Sequence, residues 1–547
     1  MKIKLLNIIS LSLLLISNSL IGQQGDGGNP KSFLFKTDNS NIVTYRFNEP
    51  DISSLRIEDS ITEIYKSGPW RFGFNNSVNL NMNNSGSWTT YPDGSKVWRL
   101  KVNCENALSI NLTLDNVIIP EGNELYVYNE QRDFILGKFT DYHLYEGQLG
   151  TELVPGNTAI IEYYIAPKNK NNEAQLNINT VTHGYRTTTE FQEKAFGSSG
   201  NCNMNANCSD ADPWELQKRS AVMLVSGSNG FCTGALINNS QNDGKPYVLT
   251  ANHCGTNPTS WVFRFNWQAA PEDINQSDCT IDPSSSPSYS SLSGAVLRAN
   301  RYPSDFSLVE ITGGLINGTV PNSYGAFFAG WDNSDNIPTS AFCFHHPRGD
   351  IKKVSFDDAP LVSANGMGST EDDSQWEVEW DRGTTTEGGS SGSPLFDQNG
   401  RIIGQLWGGG ASCFNLSEPD FYGKFSYSWN PAGSNSTNQL KYWLDPNDDG
   451  LVVLDGYFPT ASVKKIDFDI EFSVYPNPNK GEFTVKLNQN AIGNSSIKIT
   501  DLSGRIIYQS IVSNSQFEVK LLNVTSGNYF IEIENNNQST VKRLSIL

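Results

Sequence analysis

Between Glu387 and Pro394 the chain reads Glu-Gly-Gly-Ser-Ser-Gly-Ser-Pro and then enters an apolar run, Leu395 and Phe396. A serine framed by glycines at the end of a polar loop sits on a sharp turn, because glycine alone turns freely with no side chain in the way. Such a turn exposes Ser391 as an acyl-transfer nucleophile. It also lets the amides of Gly389 and Ser391 point at one oxygen that gathers negative charge. Taken alone, the stretch equally describes an ordinary Gly/Ser-rich turn.

Two distant stretches change that weighing. Thr250-Ala251-Asn252-His253-Cys254 follows an apolar strand, Tyr247-Val248-Leu249, and Gly230-Phe231-Cys232-Thr233-Gly234-Ala235 is a second strand ending. A bond between Cys232 and Cys254 would staple the two strands and fix His253 at a barrel edge. Further on, Asp305 leads into Phe306-Ser307-Leu308-Val309-Glu310-Ile311, which alternates as a half-buried strand does. An aspartate there, buried beside the imidazole, holds its tautomer and stabilises the imidazolium as it forms. Each residue by itself reads as structural; the three in the order His253, Asp305, Ser391 read as a nucleophile, its base and the base's orienter.

The rest of the chain bounds the setting. Its 547 residues suggest three to four domains. A hydrophobic share of 37%, 11% aromatics and 47 glycines favour β-rich folded modules over disorder. A formal net charge of −19 argues against a nucleic-acid binder, which needs a basic face, and would attract a cationic substrate. Lys2 and Lys4 followed by the apolar stretch Leu5 to Ile16 read as a signal peptide ending near Gly22. The apolar stretch is short for a membrane span and no later one is long enough, so export without an anchor is expected. The eight cysteines, Cys104, Cys202, Cys208, Cys232, Cys254, Cys279, Cys343 and Cys413, are an even count that favours disulfides in an exported chain.

Residues 25–194 read as a β-sandwich. Leu108, Ile110, Leu112 and Leu114 alternate with polar residues, Pro120 to Asn123 reads as a turn, Leu125 to Tyr128 as the next strand, and Ile161, Tyr163 and Ile165 repeat the alternation. Residues 195–458 are large enough for two small barrels. A polar connector, residues 459–469, leads to an all-β module at 470–547, where Phe483, Val485 and Leu487, Phe517, Val519 and Leu521, and Tyr529, Ile531 and Ile533 alternate.

Stretches of the form T-A-x-H-C, D-x-S-L and G-x-S-G-x-P in this order resemble the trypsin-like serine proteases. Residues 197–457 resemble the bacterial lysyl endopeptidases more closely. The matching residues are Cys202 with Cys208, Phe344 to Asp350, Glu387 to Pro394, Gly404-Gln405-Leu406, Asp420 to Lys424 and Trp443 to Pro446. The resemblance implies an all-β chain: a double-barrel chymotrypsin-like protease domain after a β-sandwich prodomain. It also implies disulfides Cys202–Cys413, Cys208–Cys279 and Cys232–Cys254, which spacing alone leaves open; Cys104 and Cys343 then join the two domains or stay free, with free favoured. Asp420 becomes the floor of the specificity pocket, which favours lysine on the acyl side of the cut, with arginine as the alternative. The tail, with Val474 to Pro478, Gly481, Phe483, Asp501 to Arg505 and Val541 to Leu547, resembles the sorting domain of the type IX secretion system, a small Ig-like sandwich. That implies passage across an outer membrane, to release or to the cell surface.

The expected chemistry needs no cofactor and no metal. Its partners are protein or peptide substrates containing lysine and the secretion machinery, with no nucleic acid; the chain is expected to be a monomer. A protease-like adhesin with an inert triad is the reading from a different class. His345 and His346, adjacent on a strand, point to opposite faces and suit one ion poorly. Asp445, Asn447, Asp449 and Gly450 begin like a calcium loop, but Gly456 stands where the bidentate glutamate is needed. Trp407 replaces a histidine of the lysyl endopeptidases and is expected to stack on His253; Trp376 and Trp380 are aromatics that sequence leaves unplaced. Ser390, before the nucleophile, has no charge to receive a new amino terminus, so the sandwich is expected to aid folding or block the site. Lys194, eight residues before Cys202, is the expected self-processing point. N-terminal sequencing of the secreted protein is expected to read from Ala195 or close to it; a start far from any lysine would overturn self-processing.

Overall fold

The computed structural model describes residues 23–34, 42–169, 174–186, 197–283, 287–433, 435–459, 472–487, 495–501, 506–512, 514–521, 524–535 and 538–547. The expected signal peptide, Lys194 and residues 460–469 of the expected connector lie outside these residues. The chain divides into two compact units, residues 1–459 and 460–547.

The N-terminal part of the first unit is two sheets. In one, the strand Thr158–Ile165 pairs antiparallel with both Lys96–Cys104 and Glu124–Asn129. In the other, Gln175–Gly184 lies between Gly73–Asn81 and Ser109–Ile118. Leu100, Val102, Ile110, Leu112, Leu114, Val127 and Ile161 fill the core, and Cys104 is buried among them. The strand Ser109–Ile118 was expected to be half-buried, yet Ser109, Asn111 and Thr113 on its polar face are buried as well. That face docks against the following domain: Asn111 Nδ2 donates to Ser228 O at 2.8 Å, and the Thr113 and Ser228 hydroxyls lie 2.7 Å apart. A buried face made of hydrogen-bonded polar groups keeps the same period-two signature as a wet one.

Residues from about 200 to 458 form two large, mainly antiparallel sheets. The first, nine-stranded, has Val262–Phe265, Ala221–Ser226, Gly230–Leu236, Tyr247–Ala251, Phe306–Ile311 and Ala295–Arg301 side by side. The second, ten-stranded, has Lys353–Asp357, Ala341–His345, Pro394–Asp397, Ile402–Gly409, Asp420–Lys424 and Gln375–Val378. Leu249, Phe306 and Leu308 of the first sheet share one core with Phe342, Phe344, Phe396 and Ile402 of the second. The fold is all-β, as expected. Disulfides join Cys202 to Cys413, Cys208 to Cys279 and Cys232 to Cys254, while Cys104 and Cys343 are free and buried. Burial pushes both free thiols up to about 12.

The sandwich and these two sheets are stitched together. Trp70–Arg71 adds to the edge of Gly230–Leu236, and Gln23–Gln24 runs parallel to Ser290–Ser293. Glu152 of the sandwich is fully buried and takes two hydrogen bonds from Arg264, at 3.1 and 2.7 Å, and one from the Ser291 hydroxyl. The second unit is a small two-sheet module around Phe483, Val485, Ile497, Ile499, Ile531, Ile533 and Leu544. At Asp445 the carboxylate accepts the amides of Asp449 and Gly450, at 3.1 and 3.2 Å, closing a turn with the chain's own donors.

Two fully buried histidines set a pH dependence. Burial, with the Lys66 and Lys353 charges behind it, lowers His345 to about 3; burial and Lys352 lower His346 well below its usual value. Both imidazoles stay neutral in the fold at pH values where the unfolded chain protonates them. Stability therefore falls as pH drops from about 6.5 toward 3, by about 1.4 kcal/mol per pH unit for each histidine. Asp357, raised to about 6 by burial, works in the opposite sense, losing stability as pH rises through 6. Melting curves of the full chain from pH 7 to pH 4 are expected to shift down steeply, and less steeply in a His345→Gln variant; equal slopes would remove His345 from the account.

Candidate active site

Strand register brings His253 and Asp305 together. Ala251 pairs with Phe306, so the turn Asn252–Cys254 after one strand meets Asp305 at the start of the other. Asp305 Oδ2 lies 2.7 Å from His253 Nδ1, and Oδ1 accepts the His253 backbone N–H at 3.0 Å. The Asn252 N–H donates to Asp305 O at 2.8 Å, and Asp305 takes a left-handed φ of 51° to make these contacts. Burial pushes the Asp305 carboxyl up, against the pull of His253. The Cys232–Cys254 bond ties the turn to its neighbouring strand.

The loop carrying Ser391 is pressed against the same strands. The Thr233 N–H donates to Ser391 O at 2.8 Å, and that oxygen lies 3.7 Å from Cys254 Sγ. Two glycines permit this approach. A Cβ on Gly389 (φ 92°) would lie 2.8 Å from Arg348 N, and one on Gly392 (φ 79°) 2.4 Å from Thr233 O. Ser390 is held by His345, whose Nδ1 lies 2.7 Å from its hydroxyl, and His346 Nδ1 takes a different partner, Asp350 O, at 2.9 Å. Neighbouring carboxylates anchor the residues that follow the expected processing point. Asp350 accepts the amides of Gly197 and Ser199 at 2.8 and 3.0 Å, and Glu387 accepts that of Gly200 at 2.7 Å.

Beside this cleft Asp420 is fully buried. Its Oδ2 accepts the Trp380 indole N–H at 2.8 Å and the Thr386 hydroxyl at 2.6 Å. Its Oδ1 faces Lys66 Nζ at 2.5 Å. The ammonium donates further to Ala411 O at 2.8 Å, Thr386 Oγ1 at 2.9 Å and Thr386 O at 3.3 Å. The Lys66 carbonyl accepts the Ser391 hydroxyl at 3.0 Å. Among the described residues His253 Nε2 is buried without a partner. The wall strand at Gly408 has to be glycine, since a Cβ there would lie 2.3 Å from Tyr65 O.

The expected residues thus fall into three groups. His253 and Asp305 are in direct contact, Ser391 lies on a loop bonded to the neighbouring strand with its hydroxyl turned to Lys66, and Asp420 is buried among Lys66, Trp380 and Thr386. Trp407 does not meet the expectation of an indole on the imidazole. Its ring contact is Tyr302, edge-on at 5.8 Å, because the register shift between Leu406 and Gly408 changes the pairing at that residue. Trp380 is the aromatic of the pocket; Trp376 packs elsewhere, under the Lys424 ammonium at 4.0 Å. Sequence reading missed Thr386 and Lys66. Thr386 sits directly before Glu387 and was within reach of the motif; Lys66 lies far upstream and no local pattern marks it.

The chain is a serine endopeptidase with a tail that directs export by the type IX route to the cell surface or beyond. Residues 196–423 match the C-terminal domain of the lysyl endopeptidases, and residues 473–547 match the C-terminal sorting domain of that secretion system. A lysyl endopeptidase from Pseudomonas aeruginosa is 24% identical over 375 residues, 62% of this chain and 75% of the relative. Among solved structures, the HtrA-type protease AlgW with a tripeptide aligns with a TM-score of 0.27 at 12% identity, over 62% of this chain and 96% of its own. The thermostable serine protease AL20 from an extremophilic microorganism aligns with a TM-score of 0.26 at 14% identity, over 37% of this chain and 89% of its own. No helix among the described residues is long and apolar enough to cross a membrane.

Asp305→Asn keeps the shape at Nδ1 and removes the acceptor that selects the tautomer. Peptidase kcat is expected to fall by about 10³–10⁴-fold with the melting temperature little changed. A minor loss of kcat would mean another group orients His253.

Proposed function

We propose that this protein cleaves peptide bonds on the carboxyl side of lysine, through a His253-Asp305-Ser391 triad and an acyl-enzyme. Ser391 Oγ attacks the carbonyl carbon as His253 Nε2 takes its proton. Asp305 holds Nδ1–H and stabilises the imidazolium. The amides of Gly389 and Ser391 receive the oxyanion, a contribution of about 3–4 kcal/mol in such sites. His253 then protonates the leaving amine, and a water deprotonated by the same imidazole releases the acyl group. Residues 25–194 form the prodomain, 195–458 the protease, 459–469 the linker and 470–547 the sorting domain, with Lys194 as the processing point.

The observation that carries the lysine reading is the pocket at Asp420. One carboxylate oxygen is already committed to Trp380 and Thr386, so a guanidinium finds no free pair of oxygens for its fork. The other oxygen, with Ala411 O and Thr386, makes a cluster of single acceptors that suits a compact ammonium, and the chain's own Lys66 is received there. A neutral side chain would leave the buried carboxylate unpaired, at a cost of several kcal/mol.

Two measurements test this. Cleavage sites mapped in a denatured protein are expected to follow lysine, and Ser391→Ala to abolish them; frequent cuts after arginine would sink the lysine preference. Trp380→Phe removes one donor from Asp420 Oδ2. It is expected to lower kcat/KM for a lysyl amide by about 10–100-fold, the worth of a hydrogen bond to a charged group. It should also narrow the lysyl-to-arginyl ratio, and an unchanged ratio would show that Trp380 plays no part in selection.

A further inference from the structure

The segment around Lys66 crosses the cleft from one side to the other. Upstream, Tyr65 O accepts the Gly409 N–H at 3.1 Å, on the wall of the Asp420 pocket. Downstream, Trp70–Arg71 pairs antiparallel with Gly230–Phe231 on the opposite sheet, with Trp70 stacked on Phe231 at 6.1 Å and against Gly388. Lys66 lies between, its ammonium on Asp420 and its carbonyl on the nucleophile. This is the course of a bound peptide with lysine at the cut.

The pose at the cut is nevertheless unproductive. Lys66 has a left-handed φ of 56° and its N–H folds back to Glu63 O at 3.4 Å, so the chain is turned where a substrate would be extended. The Ser391 hydroxyl spends its proton on the Lys66 carbonyl oxygen, and His253 Nε2 is left without it. The turn is braced from behind. Arg71 Nε donates to Asp59 at 2.8 Å, Arg186 Nη1 to Glu63 at 2.5 Å, and the Tyr185 hydroxyl to Asp59 at 2.9 Å. The Arg186 guanidinium lies 3.9 Å over the Trp70 ring. These groups belong to the start and the end of the sandwich, so the whole domain holds the turn in the cleft.

We propose that Lys66 is an internal pseudosubstrate. In the uncut chain its ammonium fills the Asp420 pocket and its carbonyl caps Ser391, in a braced turn that is not cleaved and that shuts out other substrates. The inference rests on the reading of Ser391 as nucleophile and Asp420 as pocket floor. It adds the particular residue that does the blocking, where sequence expected only a domain that aids folding or obstructs.

The test uses the full chain with Lys194→Gln, so that sandwich and protease stay joined, and reads the rate at which a fluorophosphonate labels the intact band. Intact chain is expected to label far more slowly than processed protein. Lys66→Ala is expected to raise the intact-band rate by about 100-fold, in line with loss of a buried ion pair. Lys66→Met, which keeps the apolar stem, is run beside it, with a melting curve on each sample. Intact chain that labels as fast as processed protein overturns the proposal without any substitution of Lys66. So does a folded Lys66 variant that labels no faster than its parent while processed protein labels well. The readout does not depend on which residue is cut: processed protein that labels but fails to cut after lysine sinks the lysine reading and leaves the blocking test standing. Processed protein that never labels removes both.

Discussion

A carboxylate taken wholly out of water has to be matched by donors, and at Asp420 that requirement shapes the protein around it. Burying the charge without partners would cost several kcal/mol. The partners come from Trp380, Thr386 and Lys66, with Ala411 completing the ammonium's shell. These segments lie far apart in the chain and reach each other only when the second sheet is formed and the sandwich has docked. The same requirement serves two ends. With Lys66 in place it adds to the hold of the sandwich on the sheets that follow; with Lys66 gone the buried carboxylate lacks its cation, which the proposed substrate lysine would supply.

The contact between sandwich and protease follows a similar rule. Glu152 and Arg264 are both buried and pair across the boundary, so separating the two parts breaks that pair. The polar face of Ser109–Ile118 and the added strands Trp70–Arg71 and Gln23–Gln24 make the boundary specific through hydrogen bonds as well as through apolar area. A boundary of this kind holds firmly while intact. Its polar groups are ones that water could satisfy if the sandwich were lost, in keeping with the proposed prodomain.

Much of the candidate site was legible in the sequence because its patterns are local. His253 needs the end of a strand, Asp305 the start of one, and Ser391 a turn that only glycine can make; each requirement writes a short pattern. Alternation located the strands of the sandwich and of the tail for the same reason. It misjudged Ser109–Ile118, since a polar face satisfied by protein and one satisfied by water look alike in period. Trp407 was misjudged because the neighbouring register shift is a property of two strands at once. Trp380 could be named but not placed, since an indole marks no partner in its own neighbourhood.

The sequence by itself determined an exported, all-β chain with a glycine-framed serine, and set a candidate histidine, aspartate and serine in order. It also determined, through its closing stretch, the route of export. Which side chains surround Asp420, Lys66 among them, was decided by tertiary structure alone. Lys66 is one lysine among many until folding carries it to a carboxylate 354 positions away, and pairing across that distance depends on sheet order and docking, which leave no periodic mark in the chain.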